Sequence, residues 1–393
     1  MSNVYEKSLK LHKELKGKIS TELKAPLETK EQLALMYSPG VAEPCRQIAK
    51  DKNDVFEYTW KSNTVAVVSN GTAVLGLGDI GPEAGLPVME GKCALFKAFA
   101  GVDAVPLVID ATEVDEVVKF VKQVAPTFGG INLEDISAPK CVEIERRLKE
   151  ELDIPVFHDD QHGTAIITLA GLINALKLVG KKAEDCVAVV SGVGAAGSSI
   201  IRMIKDYGIS NIYGFNSRGV LRKSEKDTYD NQLYKELADI TNNDDEDINF
   251  EDAMKKADIF IGVSVADKVT KEMVKNMKRD PIIFAMANPD PEIPYDDAKE
   301  AGARVVGTGR SDYPNQVNNV LAFPGLFKGA LSVRATEINE EMKLAAAEAI
   351  ASLVSDEELK EDYVIPSPFD PRVAEEVAKR VAEKAVEMGV VNK

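Results

Sequence analysis

Two pairs of adjacent carboxylates follow apolar segments, and this pattern is typical of a divalent-metal site. One pair, Glu134 and Asp135, ends the segment GGINLEDI. The other pair, Asp159 and Asp160, follows the segment IPVFH. Because parallel strands end at the same edge of their sheet, both pairs should face one cleft, where a cation would relieve their repulsion. Oxygen ligands alone favour Mg²⁺ or Mn²⁺, although either pair alone is also typical of the acidic first turn of a helix.

Two histidines lie close to the second carboxylate pair. His158 and His162 are four residues apart, a spacing that places zinc ligands together on a helix. We expect the chain to turn at Gly163 after leaving the strand, so a helical arrangement of the two rings is not favoured. Both histidines are therefore interpreted as hydrogen-bonded polar residues or as supports for the metal ligands.

Lys92 is a candidate general base because of its place on a predicted helix. On a wheel of the segment 89–100, Lys92 falls in the middle of the face formed by Leu95, Phe96 and Phe99. Burial there would lower the pKa of the ammonium and allow it to accept a proton near neutral pH. The alternative is a lysine whose aliphatic stem covers the apolar face while its charge reaches water.

A glycine-rich turn predicts a dinucleotide site. The apolar strand Val187–Ser191 precedes a turn with the pattern GxGxxG, and a helix follows. In this setting the glycines allow a tight turn and close approach of the backbone to a pyrophosphate, which lies at the helix N-terminus. The turn consists of Gly192, Val193, Gly194, Ala195, Ala196 and Gly197.

The next strand leaves the choice between NAD and NADP open. A carboxylate normally ends this strand and binds the ribose hydroxyls, but here Asn216 stands at that position, followed by Ser217 and Arg218. Arg218 could contact a 2′-phosphate, or it could be a solvated loop charge.

The elements that must position these residues alternate between strands and helices. This alternation predicts an α/β protein with parallel sheets: an N-terminal α/β substrate and metal domain at 1–160, and a Rossmann-type doubly wound domain with C-terminal helices at 161–393. We also expect a strand at 72–77 after the turn at Asn70 and Gly71.

Composition excludes several classes of protein. The net charge of -16 argues against nucleic-acid binding. No uninterrupted apolar run approaches membrane-spanning length, and the charged N-terminus is unlike a signal peptide, so a cytoplasmic location is expected. The four cysteines are far apart and are interpreted as reduced thiols.

Together these segments resemble the short microbial malic enzymes, and the resemblance covers most of residues 37–330. The matching stretches are YSPGVAEP at 37–44, GTAVLGLGDIGPEAGLPVMEGK at 71–92, INLEDI at 131–136, FHDDQHGT at 157–164, SGVGAAG at 191–197, ANPDPEI at 287–293 and NQVNNVLAFPG at 315–325. The resemblance implies oxidative decarboxylation of (S)-malate to pyruvate and CO₂ with reduction of NAD(P)⁺.

The resemblance also implies roles for individual residues. Lys92 matches the general base for the C2 hydroxyl, Asp159 a carboxylate that orients this lysine, and Tyr37 the acid that protonates C3 of enolpyruvate. The residues that match ligands of the divalent metal are Glu134, Asp135 and Asp160. The residues that match contacts to substrate or nicotinamide are Asn288 and Asn319, with Asn318 adjacent.

Two departures from larger relatives are visible. Ala73 stands where larger malic enzymes have an arginine that binds a substrate carboxylate, so asparagines, backbone amides and the metal are expected to replace it. Because the sequence stops at Lys393, we expect no phosphotransacetylase-like domain of the kind that some microbial relatives have. A homodimer is expected from the resemblance.

Two other functions remain open at this stage. An amino-acid dehydrogenase also combines a lysine-bearing domain with a Rossmann domain, but it needs no divalent metal and releases ammonia. A dinucleotide-sensing module without turnover would need neither Lys92 nor the carboxylates.

Overall fold

The computed structural model describes residues 2–392, which form two parallel sheets with helices packed around them. The strands are β1 (Thr64–Ser69), β2 (Asp103–Val108), β3 (Gly130–Leu133), β4 (Val156–His158), β5 (Val187–Ser191), β6 (Asn211–Phe215), β7 (Ile259–Gly262), β8 (Ile282–Ala285) and β9 (Val305–Thr308). The first sheet has the order β2-β1-β3-β4 and the second the order β6-β5-β7-β8-β9. The expected α/β class with a Rossmann-type sheet is confirmed.

Helices connect the strands and cover both sheets. The helices are α1 (Ser2–Leu15), α2 (Lys30–Met36), α3 (Ala42–Lys50), α4 (Val55–Tyr58), α5 (Pro82–Ala100), α6 (Val114–Val124), α7 (Lys140–Glu151), α8 (Asp159–Val179), α9 (Ala195–Asp206), α10 (Gln232–Ala238), α11 (Phe250–Lys256), α12 (Lys271–Lys275), α13 (Tyr295–Glu300), α14 (Phe323–Ser332), α15 (Glu340–Ser352) and α16 (Arg372–Met388). The last three form the expected C-terminal helical part.

The central element of the core is α8, which packs against α9 and α15. It is the one helix in residues 2–392 that is long and apolar enough to cross a membrane, but 72% of its apolar window is buried inside the protein. Its apolar composition is explained by this burial, because a helix surrounded by other elements is apolar on every side.

Two local expectations are wrong. Residues 71–81 form turns with one 3₁₀ turn at Leu75–Leu77, where a strand was expected. The chain does not turn at Gly163, because α8 begins at Asp159 and passes through this glycine. A Cβ on Gly163 would lie 2.2 Å from Asp159 Oδ1, so glycine makes room here for a side chain of the preceding turn.

Aromatic packing joins α5 of the first sheet layer to α14. The Phe96 ring is fully buried, and its centroid lies 4.7 Å from that of Phe323 and 5.5 Å from that of Phe327. Such edge-to-face contacts stabilise a core beyond the area they bury. The position of α5, and of Lys92 one turn before Phe96, therefore depends on α14.

We predict that Phe96→Ala lowers the free energy of unfolding by about 3–5 kcal/mol, because the substitution leaves a cavity in the tightly packed contact between α5 and α14. Urea unfolding followed by circular dichroism would measure the loss. Phe369→Ala is the control, since Phe369 is 82% exposed and its truncation should change stability by no more than about 0.5 kcal/mol. Equal effects of the two substitutions would contradict the prediction.

Candidate active site

Lys92 lies between two carboxylates that reach it from different elements. Its Nζ is 2.7 Å from Asp159 Oδ2 on α8 and 2.8 Å from Glu134 Oε1 after β3. The ammonium also lies 4.2 Å from the centroid of the Phe323 ring, which covers it on another side. All three charged side chains are buried, with 11% or less of each exposed. Lys92 therefore extends from the apolar face of α5 into a cluster of charged side chains.

The expected lowering of the lysine pKa is wrong for this arrangement. Burial alone would lower it, but the charges of Asp159 and Glu134 outweigh burial and raise the pKa of Lys92 above its usual range. The helix wheel indicated burial but not these partners, which come from distant segments. Burial also raises the pKa of Glu134 well above its usual range. The Lys92 ammonium acts in the opposite direction, but the neighbouring aspartates raise the pKa further.

Glu134, Asp135 and Asp160 each direct a carboxylate oxygen to one place. These three oxygens lie within 4.8 Å of one another. The backbone N–H of Asp135 donates to Asp160 Oδ2 at 2.9 Å, and Asn132 Nδ2 donates to Glu134 Oε2 at 2.9 Å. An oxygen-only donor set of this size fits a hard divalent cation such as Mg²⁺ or Mn²⁺.

Asn319 connects the C-terminal part of the chain to this cluster. Its Nδ2 donates to Asp159 Oδ2 at 2.9 Å, and its Oδ1 accepts from Thr164 Oγ1 at 3.2 Å. Asn318 has a different contact, because its Oδ1 caps the following 3₁₀ turn by accepting from Val320 N. Of the two adjacent asparagines, Asn319 therefore contacts the ionic cluster directly.

The glycine-rich turn has the shape of a dinucleotide cradle. Gly192 has a φ of +93°, and a Cβ on Gly197 would lie 1.8 Å from the carbonyl oxygen of Gly192, so both positions require glycine. A Cβ on Gly194 would meet no described atom within 4 Å. This open space lies directly before Ala195 and Ala196, the first residues of α9, where a pyrophosphate would meet the helix N-terminus.

The loop after β6 is held by Asn216. Its Oδ1 accepts from Arg218 N at 2.7 Å and Gly219 N at 3.1 Å, and this turns the backbone at Ser217. The Arg218 side chain is 72% exposed and lies 3.9 Å from Asp230. Most of the Arg218 side chain is therefore in contact with solvent.

Asn288 and Tyr37 lie outside the ionic contacts of Lys92. Asn288 follows β8 and precedes a cis peptide bond to Pro289, and the loop at Gly76 lies against this proline. Tyr37 ends α2 and is 69% exposed. The fold brings Lys92, the four acidic residues and Asn319 together, but it leaves Tyr37 at the surface.

Sequence reasoning missed two buried charged residues near the cluster, Glu145 and Lys343. His162 Nε2 lies 2.9 Å from both carboxylate oxygens of Glu145, and Lys343 Nζ lies 3.1 Å from His162 Nδ1. This confirms His162 as a hydrogen-bonded residue, whereas neither ring nitrogen of His158 has a hydrogen-bond partner within residues 2–392, although Nδ1 lies 3.9 Å from Asp160 Oδ2. Glu145 was detectable, because it falls on the same helix face as the apolar residues 141, 144 and 148.

The fold and the site define a two-part oxidoreductase in which a Rossmann-type sheet adjoins a lysine and carboxylate centre. Two family models match the chain: malic enzyme, N-terminal domain at residues 16–149, and malic enzyme, NAD binding domain at residues 161–388. The chain belongs to the malic enzyme family.

Individual proteins agree with this assignment. The bifunctional malic/malolactic enzyme of Bacillus subtilis is 60% identical, over 98% of this chain and 94% of that protein. The NAD-dependent malic enzyme of Geobacillus stearothermophilus is 55% identical, over 100% and 81% of the two chains. The NADP-dependent malic enzyme of Haemophilus influenzae is 50% identical over 96% of this chain, which covers 52% of that longer protein. The crystal structure of malic enzyme from Pyrococcus horikoshii matches with a TM-score of 0.94 and 48% identity, over 99% of this chain and 92% of that chain.

We predict that Gly194→Ala leaves the fold intact but weakens NADH binding. The added methyl has room in the protein itself, yet it occupies the space through which the backbone approaches a pyrophosphate. Losing one hydrogen bond to a charged group costs about 1.5–3 kcal/mol, so the affinity should fall roughly tenfold or more. Fluorescence titration with NADH would measure it. An unchanged dissociation constant in a folded variant would argue against this cradle.

Proposed function

We propose that this chain oxidises and decarboxylates (S)-malate to pyruvate and CO₂, with reduction of NAD(P)⁺ and with Lys92 as the general base. The observation that supports this most strongly is the position of Lys92, 2.7 Å from Asp159 and adjoining three carboxylates suited to a divalent cation. An amino-acid dehydrogenase would have no use for this carboxylate set, and a sensing module would have no use for a buried lysine.

Glu134, Asp135 and Asp160 are the residues that would hold Mn²⁺ or Mg²⁺. When bound, such an ion polarises the C2 oxygen of the substrate and stabilises the negative charge left after loss of CO₂. The fit is supported by the raised pKa of Glu134, which reflects burial and an excess of negative charge that a cation would offset.

Lys92 accepts the proton of the C2 hydroxyl while the hydride of C2 passes to the nicotinamide. The lysine must be neutral at that moment, although its carboxylate partners raise its pKa. A cation bound to Glu134 would offset part of this negative charge and so favour the neutral amine. Asp159 holds the amine by one hydrogen bond and is itself held by Asn319. Loss of CO₂ then leaves an enolate, whose oxygen takes the proton back from Lys92 to give enolpyruvate. The neutral Lys92 finally removes this hydroxyl proton as C3 is protonated.

Tyr37 is the proposed acid for C3, and its exposure supports a site shared by two subunits of a homodimer. The helices α2 and α3 around it have only exposed or half-buried residues. Exposed large apolar side chains are concentrated in the same region, as expected for an interface between subunits. They are Val4, Tyr5, Leu9, Leu11, Leu15, Ile19, Leu23, Leu27, Leu33, Leu35, Met36, Tyr37 and Val41.

NAD or NADP is proposed as the cofactor. The turn Gly192–Gly197 would bind the pyrophosphate, and Asn216, Ser217 and Arg218 the adenosine ribose. No carboxylate side chain stands at the end of β6 to repel a 2′-phosphate. Asn288 is proposed at the nicotinamide end, with Asn318 and Asn319 toward the substrate.

The domain division and location of the protein are also proposals. A boundary at residue 160 is supported by the sheets, which use residues 64–158 and 187–308. We propose a cytoplasmic enzyme without nucleic-acid or membrane partners. The net charge of -16 argues against nucleic-acid binding, and most of the apolar helix α8 is buried inside the protein.

We predict that Lys92→Met lowers kcat/KM for malate by about 10²–10⁴-fold with either NAD⁺ or NADP⁺, because the general base is lost. NAD(P)H formation with Mn²⁺ would be followed at 340 nm. Lys97→Met is the matched control, since this lysine lies on the same helix but pairs at the surface with Asp103. Near-normal turnover of Lys92→Met would exclude it as the base, and activity that survives EDTA unchanged would exclude the metal.

We further predict that Tyr37→Phe and Lys92→Met, each of low activity alone, complement each other when co-expressed. If each site combines Lys92 of one subunit with Tyr37 of the other, random pairing restores about a quarter of wild-type activity. Activity of the co-expressed mixture of dimers would be compared with that of each variant. Absence of recovery in dimers that contain both variants would place both residues in the same subunit.

A further inference from the structure

Glu145 of α7 contacts the segment 158–162 at three points. Its carboxylate accepts from the backbone N–H of His158 at 3.2 Å and from Gln161 Nε2 at 3.4 Å. The third contact is with His162, whose Nε2 is 2.9 Å from both oxygens. Glu145 is only 5% exposed. One buried carboxylate therefore contacts both ends of the short segment that contains the two aspartates of α8.

The charge of Glu145 is compensated within its surroundings. Lys149 Nζ lies 2.9 Å from Oε1, and Lys343 approaches from α15 to His162 Nδ1 at 3.1 Å. With an ammonium at Nδ1 and a carboxylate at Nε2, these partners assign to His162 a neutral ring that donates from Nε2. Lys343 is 1% exposed and also pairs with Glu340. The cluster is thus a closed network with no unpaired charge.

The network also joins the two halves of the protein. Glu145 lies in the part matched by the N-terminal domain model, and His162 and Lys343 lie in the part matched by the NAD-binding domain model. Buried ion pairs add little net stability compared with apolar residues of the same shape. Such directional contacts instead define the position of the joined elements relative to one another.

The start of α8 needs this external support. Its N-cap residue, His158, makes no side-chain capping hydrogen bond within the described chain, and Glu145 accepts the backbone N–H at this point. From the first turn, Asp159 reaches Lys92, and Asp160 reaches the backbone of Asp135. A small rotation of this turn would move both carboxylates away from their partners.

We propose that Glu145 is a positioning residue that holds the first turn of α8, so that Asp159 meets Lys92 and Asp160 completes the metal site. This rests on the proposed function, because the metal site is part of it. Glu145 itself contacts neither Lys92 nor the three proposed ligands through any described hydrogen bond or ion pair.

The test is the Mn²⁺ affinity of the full chain, measured by electron paramagnetic resonance with Mn²⁺ alone as the probe. Removing a residue that orients metal ligands weakens affinity by about 10–100-fold, which we expect for Glu145→Ala. Glu145→Gln keeps the shape of the side chain but replaces one acceptor oxygen by a donor, so we expect a smaller loss of Mn²⁺ affinity. If Glu145→Ala does not fold, Glu145→Gln is measured in its place. NADH affinity should remain unchanged in both.

Lys343→Met is the matched control. It removes a buried charge from the same network but leaves the contacts of Glu145 with His158, Gln161 and Lys149 in place. We expect wild-type Mn²⁺ affinity for it, whereas equal weakening in Lys343→Met and Glu145→Gln would overturn the proposal. Wild-type Mn²⁺ affinity in folded Glu145→Gln and Glu145→Ala would also overturn it. A wild-type chain that binds no Mn²⁺ would contradict the metal site itself, and with it the role given to Glu145.

Discussion

The contact of the Lys92 ammonium with Asp159 and Glu134 is the interaction on which the rest of the structure depends. A buried ammonium is stable only if its partners are close and well oriented, since each unpaired charge costs several kcal/mol. The partners come from α5, the end of β3 and the start of α8. These three elements must therefore be positioned accurately relative to one another, and much of the packing serves this requirement.

The fold meets this requirement through elements shared between its layers. β3 and β4 are adjacent parallel strands, so their carboxyl ends deliver the two acidic pairs to one edge. α14 places Phe323 over Lys92 and also holds α5 through Phe96. The helix α8 begins at the site and then runs through the centre of the core, so Asp159 and Asp160 extend from a helix that is mostly buried.

Local patterns predicted much of the site because its parts are local. The strand, glycine turn and helix around Gly192 are specified by neighbouring residues. The acidic pairs are recognisable because each pair directly follows an apolar strand. The turn expected at Gly163 was wrong because a glycine inside a helix resembles a breaker until the side chain it accommodates is known. The direction of the Lys92 pKa and the role of Glu145 depend on contacts between segments that are distant in the chain, and periodicity contains no information about them.

The sequence by itself determined the α/β class, the dinucleotide turn, the acidic residues available for a metal and, through its motifs, the malic enzyme family. Only the tertiary structure decided which groups surround Lys92, that its ammonium is stabilised by carboxylates, and that Tyr37 lies exposed beside other apolar residues. The physical reason is that charge interactions depend on distance and burial in three dimensions. Residue type and spacing define what each group can do, whereas packing defines which group it meets.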